Sequence, residues 1–420
     1  MENIKSVETK LWNKNFFLLW QGQLVSVLGD ILYVIALDFW ILDMTGSTAL
    51  MGILSALTMA PRIILGPFAG VFIDKWDRKK VIVITDLIRG IFVSFIGIAG
   101  VFGFIKVWMI FIVGIVSGIC SAFFNPAIMS SRPDIVPEDK LMKANSATSL
   151  AQSGMDMIGN AIGGVLYVLI GAPYMFLFNG VSYLFSAFSE LFIHIPKIER
   201  KNVEITFKED FKVGIKFIKE FKVFRNVFLY ASLINFFGNA GMILLVPYFR
   251  EMPFLGVEKY GFAMMTLSLG MMSASIFLSI KSIKTKNKCT IFKSTMLGFC
   301  LLLIIAIITN NYTVLLFCFG LGFFFNICFN TIFSTMLMSI VPSNIRGKVM
   351  SITSTLSMGL VPIGQCIGGI LGEFLPIRSV LIILFTSCFI VCILCCKIKN
   401  IKNLIEYDSS TDSLEELMSL

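Results

Sequence analysis

Seven ionisable side chains interrupt the long apolar runs of the sequence, and the chemistry they could carry is the uptake and release of protons. An ionisable group within a membrane-spanning helix costs about 2.5–3.5 kcal/mol, so it indicates either a partner or a function. All of these groups fall in the first half of the chain, and proton coupling is therefore expected there. They are Asp30, Asp38, Arg62, Asp86, Arg89, Asp156 and Glu190.

Asp30 is the leading candidate for a proton carrier, with Arg62 as its counter-charge. At the rise of an α-helix, Asp30 lies about 21 Å and Arg62 about 18 Å from the cytoplasmic ends of their segments, so the two could meet near the membrane midplane. A fixed structural ion pair is the alternative. Asp156 is the second candidate, because polar residues four positions before and after it share its helix face; its alternative is interhelical hydrogen bonding. Asp86 and Arg89 are one turn apart, which predicts a local salt bridge.

The elements that must position these groups are membrane-spanning helices. Of the 420 residues, 56% are hydrophobic and 15% are charged, and the mean hydropathy is +0.85. An ordinary soluble domain is about a quarter charged, so this composition argues against a soluble enzyme, a disordered chain and a nucleic-acid-binding module. A helix needs about 20 apolar residues to cross the hydrocarbon layer. Twelve such segments are predicted, at residues 16–41, 47–73, 81–104, 107–128, 145–170, 174–195, 226–249, 260–280, 290–309, 312–339, 349–373 and 377–396.

The basic residues set the orientation. Of 35 Lys and Arg residues, 29 fall on the side that carries both termini, four on the other side and two inside the segments. Cytoplasmic loops carry the excess of basic residues, so both termini are predicted to be cytoplasmic and the net charge of +9 needs no nucleic-acid partner. The predicted fold is an all-α membrane protein with an N-terminal six-helix bundle (1–195), a cytoplasmic linker that could hold an amphipathic helix (196–225), a C-terminal six-helix bundle (226–396) and a cytoplasmic tail (397–420).

An internal repeat relates the two bundles. Residues 135–166 align without gaps on residues 340–371, 205 positions later, with 14 identities in 32 positions. Parallel repeats of six spans are a transporter architecture. Repeated glycines are expected to let helix backbones approach closely. They are Gly154, Gly159, Gly163 and Gly164 in the first copy, and Gly359, Gly364, Gly368 and Gly369 in the second.

The loop between the second and third segments reads GVFIDKWDRKK at residues 70–80. This loop resembles the cytoplasmic signature of the major facilitator superfamily, with Asp77 where the wider family often has Gly. The twelve segments, the repeat of six and the P-x3-R-G-K pattern at 342–348 fit the same family. The resemblance implies a cytoplasmic gate that holds the two halves together in one state of the transport cycle. Its residues would be Gly70, Asp74, Asp77, Arg78 and Lys79.

Three shorter sequence runs resemble the drug–proton antiporter branch of this family, which includes macrolide efflux proteins. Lysophospholipid transporters and the enterobactin exporter are similar to the same branch. The three runs are LGDILYVIALDFWI at 28–41, DLIRG at 86–90 and FFNPA at 123–127. The resemblance implies a secondary active exporter of amphipathic, macrolide-like molecules in the cell membrane, working by proton antiport and alternating access. A monomer is expected, and a lysophospholipid or siderophore transporter is the alternative. One departure is that the fourth segment lacks the Arg of many such antiporters, so no coupling role carries over to that position.

The same resemblance implies that the first, fourth, seventh and tenth segments line a central cavity. The polar residues there are amides, and Phe residues surround them. A mostly apolar pocket with a few amides suits a large amphipathic ligand. Hydrogen bonding between neighbouring helices is the alternative role. The amides are Asn125, Asn235, Asn239, Asn326 and Asn330.

No cofactor, metal or enzymatic activity is expected. The nucleotide-binding pattern G-x4-G-K-[ST] does not occur in the sequence, so ATP is not the expected energy source. Cys392, Cys395 and Cys396 end the last segment with C-x-x-C spacing, but structural zinc takes four ligands, and apolar packing is the expected role. With a single His, a membrane-embedded enzyme lacks the residues it would need. A transport-inactive sensor or scaffold would tolerate loss of Asp30, whereas a coupled transporter would not.

Overall fold

The computed structural model describes residues 10–195, 215–281, 283–342, 345–407 and Leu417, apart from the side chains at 71, 74, 347, 348 and 351. Within these residues the regular structure is helical and contains no strand. The main helices are α1 (Lys14–Thr45), α2 (Thr48–Lys75), α3 (Arg78–Val101), α4 (Val107–Ile135), α5 (Leu141–Leu191), α6 (described over 215–220), α7 (Lys222–Ile243), α8 (Leu245–Glu251), α9 (Val257–Ile280), α10 (Lys288–Ile308), α11 (Tyr312–Ile340), α12 (Arg346–Met358), α13 (Val361–Phe374), α14 (Ile377–Cys396) and α15 (Ile401–Ile405).

Eleven helical segments of the described chain are long and apolar enough to cross a membrane. The prediction of an all-α, multi-pass membrane protein is confirmed at this level. Helix α5 covers two of the twelve predicted segments, because its 51 residues continue through Gly171, which has φ 78° and ψ 166°. That left-handed φ suits Gly, since a side chain there would be strained. Gly171 therefore separates two helical stretches, 141–170 and 172–191, within one element.

The described chain divides into two compact units. The first comprises Met1–Gly46 and Leu57–Glu204, and the second comprises Ser47–Ala56 and Ile205–Leu420. The first ten residues of this second unit are the start of α2, which packs on α13. There the Thr48 hydroxyl donates to the Gly369 carbonyl at 2.8 Å, and the backbone amide of Ala49 donates to the Glu373 carboxylate at 3.1 Å. The predicted linker lies partly outside the described residues, at 196–214.

In the first unit, α5 packs along both α1 and α3, and α3 packs on α4. Two of the predicted packing glycines contribute directly to this arrangement. Gly159 lies against the side chain of Ile31, and Gly163 lies against that of Ile35. Gly164 is buried, whereas a Cβ on Gly154 would meet no atom within 4 Å. The close approach of α5 to α1 thus depends on the later glycines of this copy.

In the second unit, α7 packs on α12, α13 and α14, while α10 packs on both α11 and α14. A Cβ on Gly364 would stand 2.5 Å from the Phe236 carbonyl oxygen, and one on Gly368 would meet the Ala240 carbonyl. Gly369 lies against Gly52 in the same unit, and Gly359 lies over the carbonyl of Thr355 in its own helix. The second copy of the repeat thus uses glycines to bring helix backbones together, as small residues do in membrane proteins.

Replacing Gly364 by Ala is expected to destabilise the protein by about 1–3 kcal/mol, the usual cost of overpacking a tight interface. The added methyl group would press on the backbone of α7, which cannot move aside as a flexible side chain can. The matched control is Gly154→Ala, where the same methyl group enters open space in the other copy of the repeat. Thermal unfolding of both variants in detergent measures the difference. Equal melting temperatures for the two variants would contradict the packing role.

Candidate functional site

The second stretch of α5 presents a polar face to α1 and α3. Asn179, Tyr183, Ser186 and Glu190 follow one another at spacings of four, three and four residues, which places them on one side of the helix. All four are buried. A Cβ on Gly29 of α1 would meet the side chain of Asn179, so the absence of a side chain there lets α1 approach this face. Charged groups of the neighbouring helices can thus reach it.

Asp30 on α1 is half-buried and is held from this face. Its carboxylate accepts hydrogen bonds from the Tyr183 hydroxyl and, at 3.4 Å, from the Asn179 amide. The Tyr183 oxygen also accepts a hydrogen bond from Arg89 Nη1 of α3 at 3.4 Å. Tyr183 therefore joins the carboxylate of α1 to the guanidinium of α3.

Arg89 is enclosed on all sides. It forms an ion pair with Asp86, one turn earlier on α3, which confirms the predicted local salt bridge. Its guanidinium lies over the rings of Phe124 and Tyr183, each with the centroid 4.4 Å away. Arg89 is 4% exposed and Asp86 is 0% exposed. Four interactions hold the guanidinium in place: the ion pair, the hydrogen bond to the Tyr183 oxygen and the two cation–π contacts. The cation–π contacts are stronger here because the cation is desolvated.

Glu190 completes the group. It is 1% exposed and accepts a hydrogen bond from the Ser186 hydroxyl at 3.3 Å. It also lies within electrostatic range of Asp86 and Arg89. One oxygen of Glu190 and one of Asp86 are buried without a hydrogen-bond donor among the described residues. These side chains form what is called here the buried charge cluster: Asp30, Asp86, Arg89, Tyr183 and Glu190.

The charges of this cluster do not balance unless protons are present. It holds three carboxyl groups and one guanidinium. In a low-dielectric interior an unpaired carboxylate is costly, and one guanidinium compensates one carboxylate. The remaining carboxyl groups are neutral only when protonated. The cluster can therefore hold protons and, if its geometry changes, release them.

The other predicted coupling residues lie elsewhere. Arg62 is exposed on α2, and the described contacts of Asp30 lead to Arg89 instead. Asp156 is half-buried on the first stretch of α5, and no described contact joins it to the buried charge cluster. Sequence reasoning missed Tyr183 and Asn179. The signal that could have found them is the four-residue polar periodicity on the sixth predicted segment.

The second unit contains a cavity of about 490 Å³. Four of the five predicted amides line it: Asn235 and Asn239 from α7, and Asn326 and Asn330 from α11. The fifth, Asn125, lies exposed on α4 of the first unit. The amide nitrogens of Asn239 and Asn330 each donate to the carbonyl one turn earlier, at 2.9 Å in both cases. The i, i+4 spacing read from the sequence therefore does place each amide pair on one helix face.

The rest of the cavity wall is aromatic and apolar. Among the described residues that line it, no side chain is charged. Hydroxyl groups come from α12, at Thr353, Ser354 and Ser357. A cavity of this size is typical of small-molecule sites, and amides without charges suit a ligand with dispersed polar groups. The aromatic lining comes from Phe228, Phe292, Phe299, Phe323, Phe329 and Phe333.

The predicted gate motif lies at the junction of α2 and α3. Arg78 forms an ion pair with Asp134 near the end of α4 and donates to the Ser130 carbonyl at 3.1 Å. Asp77 caps α3 by accepting a hydrogen bond from the Lys80 amide at 3.2 Å. Gly70 has open space around it, and Lys79 is half-buried. The side chain of Asp74 lies outside the described part of the chain.

The family profile and the similar proteins of known name agree on one family of transporters. The sequence matches the profile of the Major Facilitator Superfamily over residues 19–363. It is 22% identical to Macrolide efflux protein A of Streptococcus pyogenes over 94% of this chain and 98% of that protein. It is 25% identical to the Staphyloferrin A transporter of Staphylococcus aureus over 87% of this chain and 89% of that protein. A solved bacterial homologue of the human lysosomal transporter Spinster, in an inward-facing and occupied conformation, shares the fold with a TM-score of 0.69 at 15% identity, over 96% of this chain and 97% of the other.

Proposed function

The chain belongs to the Major Facilitator Superfamily, and from that premise we propose that it is a secondary active exporter of amphipathic, macrolide-like small molecules, driven by proton antiport. It works as a monomer in the bacterial plasma membrane by alternating access. It crosses the membrane twelve times, since each stretch of α5 on either side of Gly171 is long enough for one crossing. Both termini face the cytoplasm because the basic residues gather on their side.

The observation that carries the proposal is that proton-binding groups and a substrate-sized cavity occur in different units. The buried charge cluster of the first unit has more carboxyl groups than its single guanidinium can neutralise, so the remaining carboxyl groups can hold protons. The cavity of the second unit offers amides, hydroxyls and aromatic rings without a charge. A neutral or weakly charged amphipathic molecule would bury apolar surface there and pair its polar groups with the amides.

In the proposed coupling, Asp30 carries the exchangeable proton. It is the least buried carboxyl of the cluster, and Tyr183 connects it to Arg89. Movement of α1 against α5 would part Asp30 from Tyr183 and change the charge that Arg89 has to balance. Asp30 would then be protonated in one state and ionised in the other. Arg62, which is exposed, and Asp156, which is half-buried, are proposed to act outside this step. Asn125 belongs to the first unit and does not line the cavity of the second, so any contact it makes with the substrate would be separate from that cavity.

Transport is tested in everted membrane vesicles with an imposed pH gradient. The probes are a labelled macrolide and a fluorescent lipophilic cation. Gradient-dependent accumulation of the macrolide supports the proposal. No accumulation of either probe would exclude multidrug export and leave the fold assignment unchanged.

Replacing Asn239 by Leu is expected to raise the apparent KM for the macrolide by about three- to tenfold, the equivalent of losing one hydrogen bond of about 0.5–1.5 kcal/mol. The Leu side chain has the same branching and the same number of heavy atoms as Asn, so the shape of the cavity wall is largely kept. Asn226→Leu is the matched control, because Asn226 is exposed on the same helix and does not line the cavity. Saturation curves in the vesicle assay give both KM values. An unchanged KM for Asn239→Leu would remove this amide from the proposed substrate site.

A siderophore is the second candidate substrate, because one relative over most of the chain is named a Staphyloferrin A transporter. The uncharged cavity favours a neutral amphipathic molecule over a polyanion. Competition in the vesicle assay separates the two, since an excess of the true substrate lowers macrolide accumulation. Competition by a lysophospholipid would instead indicate lipid transport on the same fold.

A further inference from the structure

Three thiols from two helices converge in the second unit. The Cys300 sulfur of α10 lies 3.6 Å from the sulfurs of both Cys388 and Cys392, which are one turn apart on α14. The three sulfur atoms all lie within 4.8 Å of one another, and all three residues are buried. The expectation that Cys392 only fills space does not account for this convergence, because α10 brings in a third sulfur from 92 residues away.

We propose that Cys300, Cys388 and Cys392 bind a monovalent thiophilic metal ion, Cu(I). Three sulfurs around an ion at about 2.3 Å, the distance of a zinc–thiolate bond, stand about 4 Å apart. The two separations from Cys300 are 3.6 Å and the third is within 4.8 Å, so the three sulfurs need to move by less than about 1 Å to hold an ion. Thiolate ligands select soft ions. Zinc fits less well, since its structural sites take four ligands and the described residues supply three here.

Charge favours a monovalent ion as well. The site lies in the apolar interface of α10 and α14, where a net charge would be costly. Cu⁺ bound by one thiolate, whose proton is released to solvent, forms a neutral complex. The other two sulfurs stay protonated and act as weak neutral donors, as thioether sulfurs do. Cys388 is suited to remain a thiol, because its sulfur lies 3.8 Å from the Ile234 carbonyl oxygen, which can accept the S–H.

The cavity described above borders the three thiols, and we infer that an ion would enter from it. Phe299 and Leu303, which flank Cys300 on α10, both line it, as does Cys395, one turn after Cys392 on α14. The wall also carries thioether groups, which are weak ligands for soft ions. These belong to Met242, Met296, Met350 and Met358. An ion in the cavity would therefore meet sulfur ligands before it reached the three thiols.

The internal repeat places the three thiols at a position equivalent to that of the buried charge cluster. Ala172 and Ile377, the first residues after the breaks at Gly171 and Pro376, are also 205 positions apart. The same offset places Cys388 at the position of Tyr183. The helix interface that holds the buried charge cluster in the first unit thus holds the thiols in the second. Both copies of the repeat thus have polar or metal-binding side chains at this interface. Aliphatic side chains would be enough if the interface served for packing alone.

The test is a titration of the purified full-length protein in detergent with Cu(I), under anaerobic conditions and in competition with a chromophoric chelator. We expect one Cu(I) per wild-type chain and no comparable uptake of Zn(II). Cys300→Ser and Cys388→Ser should weaken Cu(I) binding by at least about tenfold, the lower range seen for altered metal sites. Cys318→Ser is the matched control, since Cys318 is equally buried and lies outside the cluster. Equal Cu(I) affinity in the cluster variants and the control would overturn the proposal.

A second measurement uses the wild-type protein and does not depend on the folding of variants. X-ray absorption spectroscopy at the copper edge of the loaded, folded protein reports the element and the distance of the ligand atoms. A shell of three sulfur atoms at about 2.3 Å supports the site. A shell of nitrogen or oxygen atoms would refute it. Neither result bears on macrolide export, which the vesicle assay tests separately.

Discussion

Asp30→Asn is expected to abolish accumulation of the macrolide against its gradient, while movement down the gradient continues. The Asn side chain has nearly the same shape, and its carbonyl oxygen can still accept the hydrogen bond of the Tyr183 hydroxyl. It cannot bind and release a proton. The variant therefore keeps the contact between α1 and α5 and loses the exchangeable proton together with the negative charge of the ionised carboxylate. Everted vesicles with and without the pH gradient measure the two activities in one preparation.

The matched control is Asp43→Asn on the same helix. Asp43 also accepts a hydrogen bond from a tyrosine, Tyr167, but it is exposed. Water can replace what the substitution removes there, so gradient-driven accumulation should stay near the wild-type rate. If Asp30→Asn also retained wild-type accumulation, Asp30 would not be the proton carrier and the cluster would be a structural ion pair.

The sequence predicted those parts of the fold that depend on periodicity along one chain. Hydropathy located helices that are long and apolar enough to cross a membrane, and the repeat located the glycines that bring α13 against α7. The i, i+4 spacing of Asn235 with Asn239 placed both on one face, and the structure places that face on a cavity. Each of these features is local to one helix, or is copied by the repeat, so no knowledge of helix packing was needed.

The partner of Asp30 could not be found in that way. Depth in the membrane made Arg62 suitable, but depth is one coordinate, and the direction in which a helix face points is set by packing. The sequence predicts only a local salt bridge between Arg89 and Asp86, and the structure shows that this pair belongs to a larger group of charged side chains. Tyr183 connects Asp30 to Arg89. Its ring is apolar and only its hydroxyl is polar, so it does not stand out from an apolar run in the sequence.

The cysteines show the same limit. The C-x-x-C spacing drew attention to Cys392 and Cys395, which are neighbours on one helix. The third thiol of the cluster belongs to α10, at Cys300, and only the packing of α10 on α14 brings it close. A pattern within one segment cannot reveal a site that two segments share.

Arg89→Gln is expected to destabilise the protein by about 3–5 kcal/mol, the cost of removing one partner from a buried ion pair. Asp86 would be left buried without its counter-charge, and Asp30 and Glu190 would lose the only guanidinium in contact with the cluster among the described residues. Two cation–π contacts would also be lost. Thermal unfolding in detergent, followed by tryptophan fluorescence, measures the effect.

Two comparisons show whether charge balance is the cause. Arg62→Gln removes a guanidinium of the same unit that has no described contact with the buried charge cluster, so it should lower stability far less than Arg89→Gln does. The double variant Arg89→Gln with Asp86→Asn removes both charges of the pair and should recover much of the lost stability, because the uncompensated carboxylate is gone. A double variant no more stable than Arg89→Gln alone would assign the effect to lost ring packing around the guanidinium. Greater destabilisation by Arg62→Gln would restore Arg62 as the counter-charge that the membrane depth of the two residues first suggested.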